Sequence, residues 1–469
     1  MPSSPTAEIP AFDRAGFRAV VDQLVAPYAD EFDRTQEIPA ATLREVAKYG
    51  WWGAALPASV GGAGMDMVTL GELHEEVGRG CSSLRSLLTV HTMVTAMVHR
   101  WGRPELARRW LPEMASGAAL GAFCLTEPEA GSDAGSVTMT AVRRGDDYIL
   151  DGVKVWITGG QSADVLLVIA RAERGLTAFL VEADREGVER IPIDGILGTR
   201  ASMLAEIRFR GCRVPAQAVL GREGAGLMLA TTALDLGRYS VAAGCVGILQ
   251  ACLEACVTHT SRRRQGGRLL REHQLVRRMV TDMVAQLSAA RLLVRHSGEL
   301  KDRGDPATVM ATFVAKYVAS TSAMRVATDA VQLHGASGCG PGSPVGRYLR
   351  DAKVMEIIEG SSEIQQLTIA DDAYRLGGER LAAAAFGGGR HDRDGRTGAR
   401  AGGAGAGSPR AGQVRGVGPG QHSVGRRAAR GRRGHAAAGG RGGDPGPRRA
   451  GDPAFDRQPQ RPAGCAGPD

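Results

Sequence analysis

The sequence predicts an α+β protein: a helical region, a β-domain and a helical bundle, in that order along the chain. Three observations predict it. Apolar residues recur at helical spacing through about residue 120. Short β-rich runs bounded by Gly and Asp turns follow, and the helical period returns after Pro215. The expected division is an N-terminal helical domain over 1–120, a middle β-domain over 121–225 and a C-terminal helical bundle over 226–377, with a tail over 378–469.

The helical reading begins with Phe17-Arg18-Ala19-Val20-Val21-Asp22-Gln23-Leu24-Val25 and repeats over 40–50 and 67–78. Pro57 and Gly61-Gly62-Ala63-Gly64 interrupt it as a loop. Ser82-Ser83 stands before the apolar stretch 84–97 as an expected helix cap. The runs 148–150, 154–158, 165–169 and 177–181 read as separate short strands, and Glu206-Ile207-Arg208-Phe209 alternates like a half-buried one. Segments near 225–260, 271–303 and 306–335 supply the bundle. A further helix is expected from near Ser361 to about Arg375.

A chain of 469 residues with 43% hydrophobic content can bury a large core. It contains no run of 18 or more apolar residues, so no membrane span is expected, and its N-terminus lacks the secretory pattern. The eight cysteines form no repeating framework. Cys252 and Cys256 lie four apart in an apolar helical run, which favours reduced core thiols over a metal site and a cytoplasmic, reducing compartment. The net charge of +8 invites a nucleic-acid reading, yet 386–469 holds 16 Arg against 6 Asp, a net of +10. Residues 1–385 therefore carry −2, so the body is near neutral and the basicity belongs to the tail.

From about Gly378 the composition is Gly, Ala, Arg and Pro. Such a segment buries too little apolar area to offset its chain entropy, so the tail is expected to be disordered. Its bias also fits a GC-rich reading frame translated beyond its natural end.

Three segments can carry chemistry. Phe123-Cys124-Leu125-Thr126-Glu127-Pro128-Glu129-Ala130-Gly131-Ser132-Asp133 joins a strand end to a polar, glycine-containing turn. Its N–H groups and hydroxyls can bind a flavin ring or a thioester carbonyl, or it is a turn only. Trp156-Ile157-Thr158-Gly159-Gly160 suits a planar cofactor, though a strand Trp also suits a core. In Arg350-Asp351-Ala352-Lys353-Val354-Met355-Glu356-Ile357-Ile358-Glu359-Gly360-Ser361-Ser362-Glu363-Ile364-Gln365, Glu359 follows two apolar residues. Desolvation there would raise its pKa toward that of a general base. Glu363 competes for that role, or serves as a helix-capping residue.

Together with Gly198-Thr199-Arg200-Ala201-Ser202, these segments resemble the acyl-CoA dehydrogenase family in order and separation, over roughly residues 12–377. The resemblance implies the acyl-CoA dehydrogenase fold, FAD between β-domain and bundle, and a homodimer or homotetramer. It implies that Phe123, Leu125, Thr126, Trp156 and Thr158 contact the isoalloxazine and that Ser132 touches substrate. Arg263, with Gln265 beside it, and Gln332 and Gly335 would hold FAD across a subunit boundary, while Ser361 and Glu363 would hold its adenosine half. Glu359 matches the catalytic carboxylate. Some members place that group earlier, at the position of Gly237 here. Asp235 and Arg238 on the same segment are assigned to the substrate. Two departures stand out: Arg263-Arg264-Gln265-Gly266-Gly267-Arg268-Leu269-Leu270 lacks the family's aromatic and proline, and Ala336 replaces a glycine after Gln332-Leu333-His334-Gly335.

The resemblance implies removal of a proton by Glu359 and of a hydride to FAD, with an electron-transferring flavoprotein or oxygen as final acceptor. Cys81-Ser82-Ser83-Leu84-Arg85-Ser86, Gly244-Cys245-Val246-Gly247-Ile248-Leu249 and the 355–363 string are similar to one subgroup: the acyl-carrier-protein-linked dehydrogenases of hydroxymalonyl and methoxymalonyl polyketide extender units. That implies a small polar thioester on an acyl carrier protein. A general acyl-CoA thioester is the alternative, and a catalytically inactive flavoprotein a third. Arg85 would pair with a polar or acidic substrate end, unless it lies on a solvated helix face.

Overall fold

The computed structural model describes residues 12–376. The tail expected over 378–469 lies outside the described residues. Six helices open the fold: α1 (Arg14–Leu24), α2 (Ala29–Thr35), α3 (Ala40–Ala47), α4 (Met67–Gly80), α5 (Ser82–Trp101) and α6 (Pro104–Ser116). The Asp13 and Asp66 side chains cap α1 and α4 by accepting from Gly16 N and Thr69 N. Phe17, Val20 and Val21 pack inward from α1 against Leu70, Leu73 and Val77 of α4. Charge reinforces this contact. Glu75 receives Arg14 and Arg291, and the fully buried Glu76 receives Arg18 and Arg79.

Ser82 and Ser83 do not cap α5, contrary to expectation. Cys81 holds the cap position without a side-chain bond, and both serines are buried inside the first turn. Ser83 Oγ instead accepts from Ala201 N at 3.2 Å, tying α5 to the β-domain.

The β-domain comprises β1 (Gly121–Cys124), β2 (Thr140–Arg144), β3 (Asp147–Ile157), β4 (Val165–Ala172), β5 (Gly175–Glu182), β6 (Val188–Pro192), β7 (Ala205–Pro215) and β8 (Val219–Leu220). They form one sheet in the order β6-β7-β3-β2-β4-β5-β8, with β1 parallel to β4. Two expected strands, 148–150 and 154–158, prove to be one. The register against β7 shifts near Gly152, whose φ of 152° lets the chain bulge and continue. Apolar side chains on one sheet face join α5 and α6 in a common core.

The bundle follows: α7 (Gly226–Thr260), the short hairpin β9 (Arg264–Gln265) and β10 (Arg268–Leu269), then α8 (Gln274–Asp302), α9 (Thr308–His334), α10 (Ala336–Cys339), α11 (Val345–Ile357) and α12 (Ser362–Leu376). Helix α7 is long and apolar enough to cross a membrane, with a mean hydropathy of 1.7 over its most apolar stretch. Its apolarity serves the protein core, because 67% of that stretch is buried, mainly by α4 and α9. The α4–α7 crossing is close: a Cβ at Gly247 would come within 2.1 Å of the Glu75 carbonyl oxygen. Gly266, which stands where the family pattern has an aromatic, and Gly267 turn the β9–β10 hairpin with φ of 58° and 78°.

Candidate active site

Glu359 lies in the tight turn between α11 and α12, and its backbone is left-handed at φ 56°, followed by Gly360 at 92°. A non-glycine residue in that region costs about 1 kcal/mol or more, so surrounding contacts must enforce it. They do. The Glu359 carbonyl accepts from Arg238 Nε and Gln365 Nε2, both at 3.2 Å. The Gly360 carbonyl accepts from Lys316 Nζ at 2.7 Å and from Gln365 Nε2 at 3.2 Å. The strained turn aims the carboxylate at α7, where a Cβ added to Gly237 would fall 2.4 Å from Oε2.

That Oε2 is buried and has no hydrogen-bond partner. Burial pushes the Glu359 pKa up to about 7, while Arg238, Arg85 and Lys316 oppose the rise. A carboxylic acid that loses its proton near neutrality, with an oxygen unclaimed by the protein, has the properties a general base needs. Glu363, the competitor, is exposed at the start of α12, where its first-turn position and Ser361 hold its pKa low.

Arg85 is 1% exposed, which overturns the solvated-face alternative. Its guanidinium bonds only weak or neutral acceptors: Thr89 Oγ1 at 3.2 Å, Ser86 Oγ at 3.0 Å and Met355 Sδ at 3.0 Å. Its Nε has no partner, and among the described residues no carboxylate pairs with it. It lies over Gly244, where a Cβ would meet its Cδ at 2.7 Å. Positions 237 and 244 share one face of α7, two turns and roughly 10 Å apart. Arg85 and the Glu359 carboxylate therefore occupy one side of the same helix.

Arg238 stacks its guanidinium on Phe313, 4.4 Å from the ring centroid. Asp235 pairs through Oδ2 with Lys301, while its Oδ1 is buried without a partner.

A second wall comes from the β-domain. Phe123 and Leu125 are buried at the end of β1, Thr126 is half-buried and Thr158 partly exposed. Trp156 is 59% exposed with φ 59°, so it is not the core residue that a strand Trp usually is. Met93 of α5 packs in the same core as Phe123 and Leu125, and a Cβ at Gly237 would meet its Sδ at 3.0 Å. Met93 thus links this wall to the Glu359 turn. Ser132 is exposed on the loop after β1.

Three features escaped sequence reading. Lys154 is fully buried, donating to the Leu125 carbonyl and to Glu127 Oε1, both at 2.9 Å. Glu127 also accepts from Thr138 N and Met139 N, so one ion pair clamps the Phe123–Thr126 strand end. His74 is buried with both ring nitrogens unpartnered, and burial beside Arg85 pulls its pKa down to about 3. Lys316 is the third. Its position among buried Thr312, Phe313, Ala319, Ser320 and Ala323 follows helical spacing and was the available signal.

Four of the remaining expected cofactor residues, Arg263, Gln265, Gln332 and Gly335, do not reach this cluster within one chain. Arg263 and Gln265 are exposed beyond the far end of α7, roughly 35 Å along the helix from Gly237. There His259 stacks on His334 with centroids 4.3 Å apart, bringing the Gln332–Gly335 segment to the Arg263 turn. A cavity of about 780 Å³ lies between them, lined by Arg262, Arg263, His334, Ser343 and Tyr348. Ser361 and Glu363 sit at the start of α12 beside the Glu359 turn.

The chain matches three family models: the acyl-CoA dehydrogenase N-terminal domain over 13–118, its middle domain over 122–212 and its C-terminal domain over 224–374. It belongs to the acyl-CoA dehydrogenase family. An acyl-CoA dehydrogenase of Bacillus subtilis is 38% identical over 360 residues, 76% of this chain and 94% of the relative. The butyryl-CoA dehydrogenase of Megasphaera elsdenii shares 31% identity at a TM-score of 0.75, covering 80% of this chain and 100% of that one. FkbI, a protein for biosynthesis of the methoxymalonyl extender unit of the Fk520 polyketide, shares 37% identity at a TM-score of 0.72, covering 76% and 99%.

As a member of this family the protein is an FAD-dependent oxidoreductase of acyl thioesters, acting on CH–CH groups. The residues present fit a flavin. An exposed indole on strained backbone, beside a partly exposed hydroxyl and above a clamped apolar strand end, offers a planar surface with a polar edge.

Proposed function

We propose that the protein oxidises a small, polar acyl thioester carried on an acyl carrier protein, toward a hydroxymalonyl- or methoxymalonyl-type extender unit. The observation that carries this reading is Arg85, a buried cation with no carboxylate partner among the described residues, on the same side of α7 as Glu359. A buried cation left unpaired is costly unless a ligand supplies the counter-charge or strong acceptors. A fatty-acyl chain supplies neither, whereas a hydroxylated or acidic three-carbon acyl group does. The similarity to FkbI supports the same reading.

In this reading Glu359 is the base. It takes the proton from the α-carbon or, for an aldehyde-derived substrate, from a hydrate hydroxyl or enol. FAD, when bound, supplies the two-electron acceptor, and an electron-transferring flavoprotein or oxygen restores it. Phe123, Leu125, Thr126, Trp156 and Thr158 would hold the ring system, with Ser132, Asp235, Arg238 and Arg85 on the substrate. Arg263, Gln265, Gln332 and Gly335 would reach the FAD of a second copy, since they lie far from Glu359 in their own chain; this makes the enzyme a homodimer or homotetramer. Ser361 and Glu363 would hold the adenosine half.

The second reading, conversion of an acyl-CoA to its 2-enoyl product, is favoured by the 38% identity to the Bacillus subtilis acyl-CoA dehydrogenase. Mass spectrometry of incubations with a glyceryl-derived acyl carrier protein, its CoA counterpart and butyryl-CoA separates the two. Oxidation of the carrier-bound thioester in preference to the others is expected. Equal or faster turnover of butyryl-CoA would sink the extender-unit reading.

A further inference from the structure

Lys316 is fully buried in the middle of α9, and among the described residues it forms no salt bridge. Its ammonium donates to the Gly360 carbonyl at 2.7 Å, the shortest of the four bonds to the carbonyls of Glu359 and Gly360. Those two residues hold the left-handed backbone that aims the base. The other donors come from α7 and α12, so removing Lys316 frees the turn from α9 alone. A buried, unpaired ammonium is an expensive way to hold a carbonyl, and a neutral donor such as Gln365 serves the same bond. What the ammonium adds is its positive charge beside the base.

We propose that Lys316 is a positioning residue for the catalytic base: its buried ammonium fixes the Glu359–Gly360 turn and sets a positive charge beside the Glu359 carboxylate. The inference rests on the reading of Glu359 as the base. The charged and titratable groups facing Glu359 are Arg238 from α7, Arg85 from α5 and Lys316 from α9. Those facing Lys316 are Cys245 and Arg238 from α7, with Glu356 and Glu359. Burial pulls Lys316 down to about 8, so its charge is present where Glu359, pushed up to about 7, gains and loses its proton. Loss of the charge raises the Glu359 pKa, because the carboxylate loses an attractive partner.

The test compares wild-type, K316M and K316R holoenzymes, each with and without the E359Q substitution and each first checked for bound flavin by its visible absorbance. Two readouts are taken. One is the acid limb of the kcat–pH profile on the better of the carrier-bound glyceryl thioester and butyryl-CoA. The other is the pH at which the melting-temperature gap between each protein and its E359Q counterpart stops widening, which follows the folded Glu359 pKa and needs no substrate. In K316M the acid limb and the levelling-off point move up by about one pH unit. Then kcat at pH 7 falls about fivefold while KM stays within about twofold, and K316R restores the limb. Should K316M not retain flavin, K316Q, which keeps a donor without charge, carries the same comparison. An acid limb and a levelling-off point at the wild-type pH in the uncharged variant overturn the inference, whatever the absolute melting temperature does. Turnover that survives in E359Q strikes down the base reading instead.

Discussion

The Glu359 carboxylate lies directly against Gly237, so close that a Cβ at 237 would stand 2.4 Å from Oε2. One residue supplies the acid and the other the space for it. The contact leaves no room for a side chain at 237 beside the Glu359 carboxylate. Gly237→Ala is therefore expected to lower kcat about a hundredfold while FAD remains bound, because a displacement of about 1 Å costs that much at a proton-transfer site. Steady-state kinetics beside the flavin spectrum checks this. Wild-type kcat in the alanine variant would show that the turn adjusts freely.

Glu359 also sets a pH dependence of stability. Its folded pKa, about 7, lies above the ordinary carboxylate value, so burial favours the protonated form. With respect to this group the protein is most stable below about pH 4.5, and it loses that stability as the pH rises from there through about 7. The upper limit is about 3 kcal/mol. E359Q, which cannot ionise, should melt a few degrees above wild type at pH 8, with the gap closing toward pH 5. Calorimetry at the two pH values decides it; a gap that does not change with pH contradicts the assignment.

Arg85→Met should change selectivity more than stability. Replacing an unpaired buried cation by an apolar residue of similar length is often neutral or stabilising. The kcat/KM for a thioester with a hydroxyl or acid end should fall about a hundredfold, while butyryl-CoA changes by less than about threefold. A parallel fall for both would assign Arg85 to the fold instead of the substrate.

The Glu127–Lys154 pair should behave differently, since each partner is buried against the other. Lys154→Met alone leaves a buried carboxylate and frees the Leu125 carbonyl, and is expected to cost about 3–5 kcal/mol. It should also release flavin, because the Phe123–Thr126 strand end loses its clamp. The double variant E127L/K154M should regain part of the stability. Melting temperature and flavin content, read together, test both statements.

The order of helices, strands and bundle was legible in the sequence because it depends on local periodicity. α7, α8 and α9 begin and end within a few residues of the segments read from apolar spacing. The Glu359 motif was legible for a similar reason: an acid between two apolar residues and a glycine is a local pattern. Short-range geometry was less so. The serines before α5 looked like caps and are not, because contacts with the β-domain drew Ser83 Oγ away. Two strands merged into β3 because a bulge at Gly152 carried the chain on where the alternation broke.

What only the tertiary structure decided is which side chains share the interior. α5 is buried on nearly all sides, so no amphipathic pattern distinguished a solvated Arg85 from an enclosed one. Arg238 and Glu359 are 121 positions apart, yet one bonds the carbonyl of the other. Lys316 and Gly360, on separate elements, meet in the same way. Local sequence sets the backbone period of each segment. Convergence depends on how closely distant segments pass, here on glycines such as Gly237, Gly244 and Gly247 that let helices and side chains approach α7.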